Sequence, residues 1–346
     1  MIYMIKKTFY IFVALLATIV VLGSCVSKDR DIPYTGQPLI ILDTDIGGCT
    51  DDLFALEMLY DYQCRGMCEL LGVVVDRMGE ECASVVDVMN TYFGYPNTPI
   101  GIERKGIRNP IVFTDYRGLS AMRDEKGELL FSCSVSDYTT LPDGWQLYRK
   151  LLASQPDHSV TICSIGFVSS LAQLLESQPD TVSPLSGVEL VRRKVKRIVI
   201  MAGDFSEPKH AGYNFQQGPS YAATFMRLWP HEVEMIFSPS EVGEQVHYLR
   251  ETMLDDHCLT DIHPIKQIYL QYFHHAYQSM WDPMVIIHAV EGDSLFTLSE
   301  RGIVTLNGDI QTDFTPCRHG NCRYQIPGNK ELATKMLEKI RRAKGK

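Results

Sequence analysis

Short runs rich in β-branched residues recur along this chain, and most are followed by a stretch whose apolar positions return every three or four residues. Residues 39–42 form the first such run, ending in acids, and 52–60 then sets Leu53, Leu56 and Tyr60 on one helical face. The pattern repeats as a strand at 70–75 with a helix over 82–93, a strand at 159–163 with a helix over 168–175, and a strand at 197–201 with a helix over 220–228. A strand at 233–237 precedes a helix starting near Ser240, and 265–278 reads as a helix whose aromatic residues pack in the core or line the pocket, helical spacing alone favouring the core. Strands that alternate with helices and are apolar on both sides predict an α/β domain, an open, mainly parallel sheet with helices on both faces. Ligands of such sheets sit beyond the carboxyl ends of the strands. The segment 114–140 keeps no clear period and is longer than most loops in compact domains, which marks it as a lid, a binding loop or an insertion.

The N-terminal block follows another pattern. Lys6 and Lys7 precede an apolar run over 9–22. That run falls short of the roughly 20 residues a membrane-spanning helix needs and has the layout of a signal peptide over 1–24. Leu22-Gly23-Ser24-Cys25 closes it and resembles the lipobox of bacterial lipoproteins. The resemblance implies a lipidated Cys25, a polar tether over 25–38, anchoring to a membrane of the bacterial cell envelope, periplasmic or at the cell surface, and one domain over 39–346. An ordinary secretory signal with an incidental Cys is the alternative.

Composition narrows the classes further. With 346 residues, 45% hydrophobic and 22% charged, the chain is neither generally disordered nor a polytopic membrane protein, and it can bury a large core without staples. A formal charge of −9 argues against a nucleic acid polymer as partner, because phosphate binding draws on basic surface. Ten cysteines are scattered rather than arranged as a disulfide framework. Cys317 and Cys322 bracket a turn that holds His319, a possible zinc half-site, although buried thiols or one local disulfide account for these residues more simply.

The chemistry concentrates in Leu42-Asp43-Thr44-Asp45-Ile46-Gly47-Gly48-Cys49-Thr50-Asp51-Asp52. Four carboxylates within ten residues, at the end of a strand and the start of a helix, repel one another unless a cation, protons or donors offset the charge. Oxygen ligands at this density suit a hard cation, Ca²⁺ or Mg²⁺, rather than zinc. Gly47 and Gly48 allow a tight turn, Thr50 is placed to cap the helix, and Asp51 and Asp52 lie where the helix dipole favours negative charge. Plain capping acids would explain one or two of the four carboxylates.

At these residues the chain resembles the inosine-uridine nucleoside hydrolase family, whose first strand ends in D-x-D-P-G-x-D-D or, in lipoprotein-like members, D-x-D-I-G-x-D-x-D-D. Further matches follow in family order: Ser164 to Ala172 is similar to T-G-P-L-T-N-L-A, Met201-Ala202-Gly203 to M-G-G, Tyr213-Asn214-Phe215 to E-F-N, and Trp281-Asp282-Pro283 to H-D-P. The resemblance implies Ca²⁺ held by Asp45, Asp52, the Ile165 carbonyl and Asp282. It further implies Asp51 as the base that takes a proton from the attacking water, and Asn214 on ribose hydroxyls. The substrate it implies is a small nucleoside-like molecule, and it is compatible with a homo-oligomer.

Several positions depart from the family. Trp281 stands where purine-active members carry the His that protonates the leaving base, Gly212 replaces a ribose-binding Glu, Cys49 replaces an Asp, and Arg77-Met78-Gly79-Glu80 lacks the Asn of the family's G-N turn. His274 and His275 are candidates for the missing acid, with a plain surface or core role the commoner one for such residues. Two other readings remain at this point. One is a non-catalytic binding lipoprotein on the same fold; the other is an aspartate-based phosphatase with Asp43 of Asp43-Thr44-Asp45 as nucleophile.

Overall fold

The computed structural model of the protein describes residues 36–108, 114–257 and 262–344. The signal segment, Cys25 and the tether as far as residue 35 lie outside the described residues. Twelve strands are seen among those described: β1 Leu39–Thr44, β2 Glu69–Arg77, β3 Ile100–Ile107, β4 Val160–Ser164, β5 Val195–Met201, β6 Glu234–Ser238, β7 His247–Leu249, β8 Tyr277–Ser279, β9 Thr297–Leu298, β10 Gly302–Leu306, β11 Thr312–Pro316 and β12 Cys322–Ile326. The α-helices are α1 Asp51–Cys64, α2 Glu80–Tyr92, α3 Gly144–Ala153, α4 Ser169–Glu176, α5 Gly187–Lys194 and α6 Tyr213–Gln217. They continue as α7 Pro219–Leu228, α8 Ser240–Gly243, α9 Arg250–Asp256, α10 Pro264–Gln271, α11 Trp281–Glu291 and α12 Lys330–Arg342.

The main sheet runs β11-β10-β12-β6-β5-β4-β1-β2-β3, with β9 paired to β12 and with β7 and β8 forming a separate ribbon. Pairing is parallel from β3 through to β12, and antiparallel only where β9 and β10 meet β12 and β11 meets β10. The expected mainly parallel α/β sheet is therefore observed, closed at one side by an antiparallel edge.

Alternate residues of β1 explain the layering. Ile40 and Leu42 pack with Leu53 and Phe54 of α1, Val85 of α2 and Ile286 of α11. Leu39 and Ile41 point the other way, into a cluster with Leu147 of α3, Leu171 of α4 and Leu190 of α5. Each fully buried aliphatic side chain contributes about 1.5–3 kcal/mol, so both sides of the sheet are strongly held. Helix α1 is buried almost all round, which is why its sequence lacks a clean polar stripe.

Two segments differ from the sequence expectation. The aromatic helix stops at Gln271 rather than running to residue 278, because the chain crosses to pair Tyr277–Ser279 with His247–Leu249. Strand β3 and the antiparallel strands at the far edge carry too many polar residues to stand out as apolar runs.

Candidate active site

In this strand order the direction of winding reverses between β1 and β4, and the crevice outside their carboxyl ends is where such sheets bind ligands. The acidic residues gather there. After Thr44 the chain turns through Asp45, Ile46, Gly47 and Gly48 before α1 opens on Asp51 and Asp52. Gly47 holds φ at +124°, a conformation that strains any side chain, and an added Cβ would meet Cys82 Sγ and Arg117 Cγ at 3.1 Å. Thr50 occupies the N-cap position without capping: its hydroxyl lies 3.1 Å from both Tyr269 Oη and Gln278 Oε1, and ties the turn to the 269–278 region.

The segment after residue 113 braces this turn. Tyr116 Oη accepts from the Gly47 N–H at 3.0 Å and donates to the Cys49 carbonyl at 2.6 Å, while the Thr114 N–H donates to the Gly48 carbonyl at 2.9 Å. Further along, the buried Asp87 carboxylate accepts from the Ser134 N–H and hydroxyl, the Val135 N–H and the Tyr138 hydroxyl. Polar anchors of this kind explain how a stretch without apolar period is ordered. Tyr116→Phe removes the hydroxyl that satisfies two backbone groups and is expected to cost about 1–3 kcal/mol. The check is a lower urea midpoint at unchanged m-value.

Asp51, Asp52 and Asp282 each bring a carboxylate oxygen within 4.8 Å of the other two, and all three residues are buried. Asp282 arrives from the first turn of α11, 231 residues beyond Asp51, and its N–H donates to Asp51 Oδ2 at 3.3 Å. Asp52 Oδ1 accepts from the Thr44 hydroxyl, and Asp51 Oδ1 is buried with no hydrogen-bond partner. Burial pushes the Asp51 carboxyl up to about 6, and burial together with the neighbouring acids pushes Asp52 and Asp282 well above the usual carboxylate range. Burial also lifts the Cys49 thiol, so it stands protonated beside Asp51. Facing hard-oxygen donors with an orphaned buried oxygen fit a divalent cation.

Asp45 is differently placed. Its Oδ2 accepts from Arg77 Nη2 at 2.6 Å and its carbonyl from Arg77 Nε at 2.7 Å, with the guanidinium carbon 4.9 Å from the Phe167 ring centre. One oxygen of the carboxylate is thus committed to a buried arginine. Arg77 went unassigned in the sequence; its only signal was that it ends β2 where the G-N turn should stand. The Ile165 carbonyl, at the end of β4, accepts from Asn214 Nδ2 at 3.1 Å, and the same nitrogen lies 3.0 Å from the Met201 carbonyl. That leaves Asn214 Oδ1 as the end able to accept from a ligand. Asp45, Asp51, Asp52, Ile165, Asn214 and Asp282 all line one cavity of about 210 Å³, with Arg77 and Trp281 in its wall.

The departures have structural counterparts. The Trp281 indole N–H donates to the Ser240 carbonyl at 3.0 Å. A Cβ on Gly212 would lie 2.6 Å from the Gly203 nitrogen, so a side chain does not fit without backbone movement. His274 and His275 are exposed on the loop after α10, His275 at the rim of a second, outer cavity. Asp43 is fully buried, with Oδ2 accepting from the Tyr148 hydroxyl at 2.9 Å, so it offers no accessible nucleophile and the phosphatase reading falls. Cys317, His319 and Cys322 contribute to no three-residue ligand group among the described residues, and the described cysteines are free thiols.

Solved structures with the same fold include an inosine-uridine preferring nucleoside hydrolase from Bacillus anthracis, at 18% identity and TM-score 0.61, covering 89% of this chain and 100% of that one. A purine-preferring ribonucleoside hydrolase from Gardnerella vaginalis aligns at 13% identity and TM-score 0.64, covering 89% and 99%. The type III effector protein XopQ, solved with adenosine diphosphate ribose, aligns at 15% and 0.63, covering 90% and 95%. A comparison with curated proteins gives no match. The family model for inosine-uridine preferring nucleoside hydrolase matches residues 40–339, and family and fold together support a ribonucleoside hydrolase-type activity on small nucleoside substrates. From a match of that extent, the chain belongs to the inosine-uridine preferring nucleoside hydrolase family.

Proposed function

We propose that the protein hydrolyses the N-glycosidic bond of a ribonucleoside or related N-riboside with the help of Ca²⁺. The observation that carries this reading is the buried carboxylate group Asp51, Asp52 and Asp282, with its orphaned Asp51 Oδ1, in the cavity at the switch point of the sheet. Asp52, Asp282, the Ile165 carbonyl and the free oxygen of Asp45 would hold the cation, which supplies acidification of water and a grip on vicinal hydroxyls. Asp51 takes the proton of the attacking water, and its raised pKa suits that role near neutral pH. Asn214 accepts from a ribose hydroxyl, and the surrounding carboxylates favour the positive charge that develops on the sugar. With the Trp281 N–H held by Ser240, no indole proton is offered to the departing base, and leaving groups that depart without a protein acid are preferred. We further propose that lipid on Cys25 holds the enzyme at the cell envelope.

A nucleoside panel assayed for free ribose, with Ca²⁺ and after chelation, tests the activity. Release that requires Ca²⁺ supports it; no release at any enzyme concentration leaves a binding lipoprotein, a reading that the Arg77–Asp45 pair and the altered 212 and 281 positions favour.

The carboxylate pKa values set a pH signature. Asp51 rises from 3.8 to about 6 on folding without metal, so its contribution to stability is present below about pH 4 and drains away as pH climbs through about 6. A bound cation reverses that loss. The rise in Tm on adding Ca²⁺ should therefore be small at pH 5 and large at pH 8, measured by thermal melts. An equal rise at both would show that these carboxylates are not the ligands.

A further inference from the structure

A second cluster lies on the far part of α1. Glu57 faces His257, which follows α9, and His263, which precedes α10; all three are buried, and their ligand atoms lie within 4.8 Å of one another. His257 Nε2 is 3.3 Å from Glu57 Oε2, and His263 Nε2 is 3.4 Å from Glu57 Oε1. We propose that Glu57, His257 and His263 form a zinc site separate from the acidic cavity.

Three observations carry it. The first is the proton inventory. His257 Nδ1 lies 2.9 Å from the Met253 carbonyl, which can only accept, so that nitrogen carries the hydrogen. In the neutral ring, Nε2 then turns a lone pair toward the Glu57 carboxylate. In the charged ring, Nε2–H donates to Glu57 Oε2 and lies 3.5 Å from the Lys344 ammonium, which competes with a bound cation for this nitrogen. In the neutral state the Nε2 lone pair and the Glu57 carboxylate face one gap, the arrangement in which both can bind a divalent ion. The second is spacing: charge-assisted N–H···O bonds run about 2.7–2.9 Å, whereas tetrahedral zinc with bonds of about 2.0–2.1 Å separates neighbouring donors by roughly 3.3–3.4 Å. The observed separations match the latter. The third is satisfaction, since Glu57 Oε1 and His263 Nδ1 are buried without a hydrogen-bond partner. Burial opposes charge on Glu57, yet the two imidazoles hold its carboxyl down at about 2, so the carboxylate is ready to ligate; burial also lowers the His263 pKa and keeps that ring available as a neutral donor.

The site would fasten the end of α9 and the start of α10 to α1, the helix that opens with Asp51 and Asp52. Its ligand atoms are not those of the acidic cavity, so the inference stands or falls apart from the proposed activity. The test titrates the purified full chain, stripped by chelator and then held in excess Ca²⁺, with Zn²⁺, and repeats the titration with Co²⁺ as a spectroscopic probe. One equivalent of Zn²⁺ and the intense visible bands of tetrahedral Co²⁺ are expected. His263→Ala should weaken Zn²⁺ by more than the roughly 10- to 100-fold that loss of an outer-shell partner costs. Absence of binding, or the same affinity in His263→Ala, overturns the proposal. Should His263→Ala fail to fold, Lys344→Met at a partly exposed position decides the matter: it removes the competing ammonium and tightens Zn²⁺ severalfold, and an unchanged affinity overturns the site.

Discussion

Asp51→Asn should lower kcat for nucleoside hydrolysis about 10²- to 10⁴-fold, the range expected when one proton-transfer group is removed. The substitution keeps the size of the side chain and an oxygen to accept from the Asp282 N–H, so the turn into α1 stays in place. It removes the ability to take a proton and one negative charge from the cluster. Because the charge loss also weakens the cation, the measurement must be made at saturating Ca²⁺, where any remaining deficit belongs to proton transfer. A variant that binds ribose but releases no product places Asp51 in the chemical step. Full activity at saturating Ca²⁺ would remove it from that role.

The second large effect concerns Arg77. Arg77→Met strips the buried Asp45 carboxylate of its partner, and breaking a buried pair from one side typically costs about 3–5 kcal/mol. The metal-free protein should lose that much in urea unfolding. Ca²⁺ should give most of it back, since the released Asp45 oxygen turns to the cation and a fixed positive charge has left the cavity wall. Tighter Ca²⁺ binding in the variant is therefore expected by calorimetry. Weaker binding would mean instead that the guanidinium aims Asp45 at the ion. The pair thus sets how strongly this cavity calls for a cation, a feature that the four acids in sequence would overstate.

What could be read in advance follows from locality. The acidic turn is contiguous, so strand end, glycine turn and first helix were visible together, and the in-order motifs located Ile165, Asn214 and Asp282, which the fold gathers around the same cavity. Arg77 was passed over because its partner lies 32 residues away and pairing across neighbouring strands leaves no periodic trace. Thr50 looked like a cap because its residue type and position suit one; its hydroxyl is taken instead by Tyr269 and Gln278, residues more than two hundred positions distant. The 114–140 segment reads from sequence as a lid, a binding loop or an insertion because it keeps no period and is longer than most loops. Here Tyr116 and Asp87 convert it into a clamp, and such hydrogen-bonded order is invisible to apolar patterning.

The position of β12 shapes how the molecule is made. This strand comes from residues 322–326, yet it fills the slot beside β6, formed by Glu234–Ser238. As the polypeptide leaves the ribosome, that side of β6 stays bare while more than eighty further residues are added. Unpaired parallel edges are sticky and slow to find distant mates. The nascent chain therefore cannot lock shut until residues 322–326 have been made, an interval in which a chaperone can still hold it unfolded.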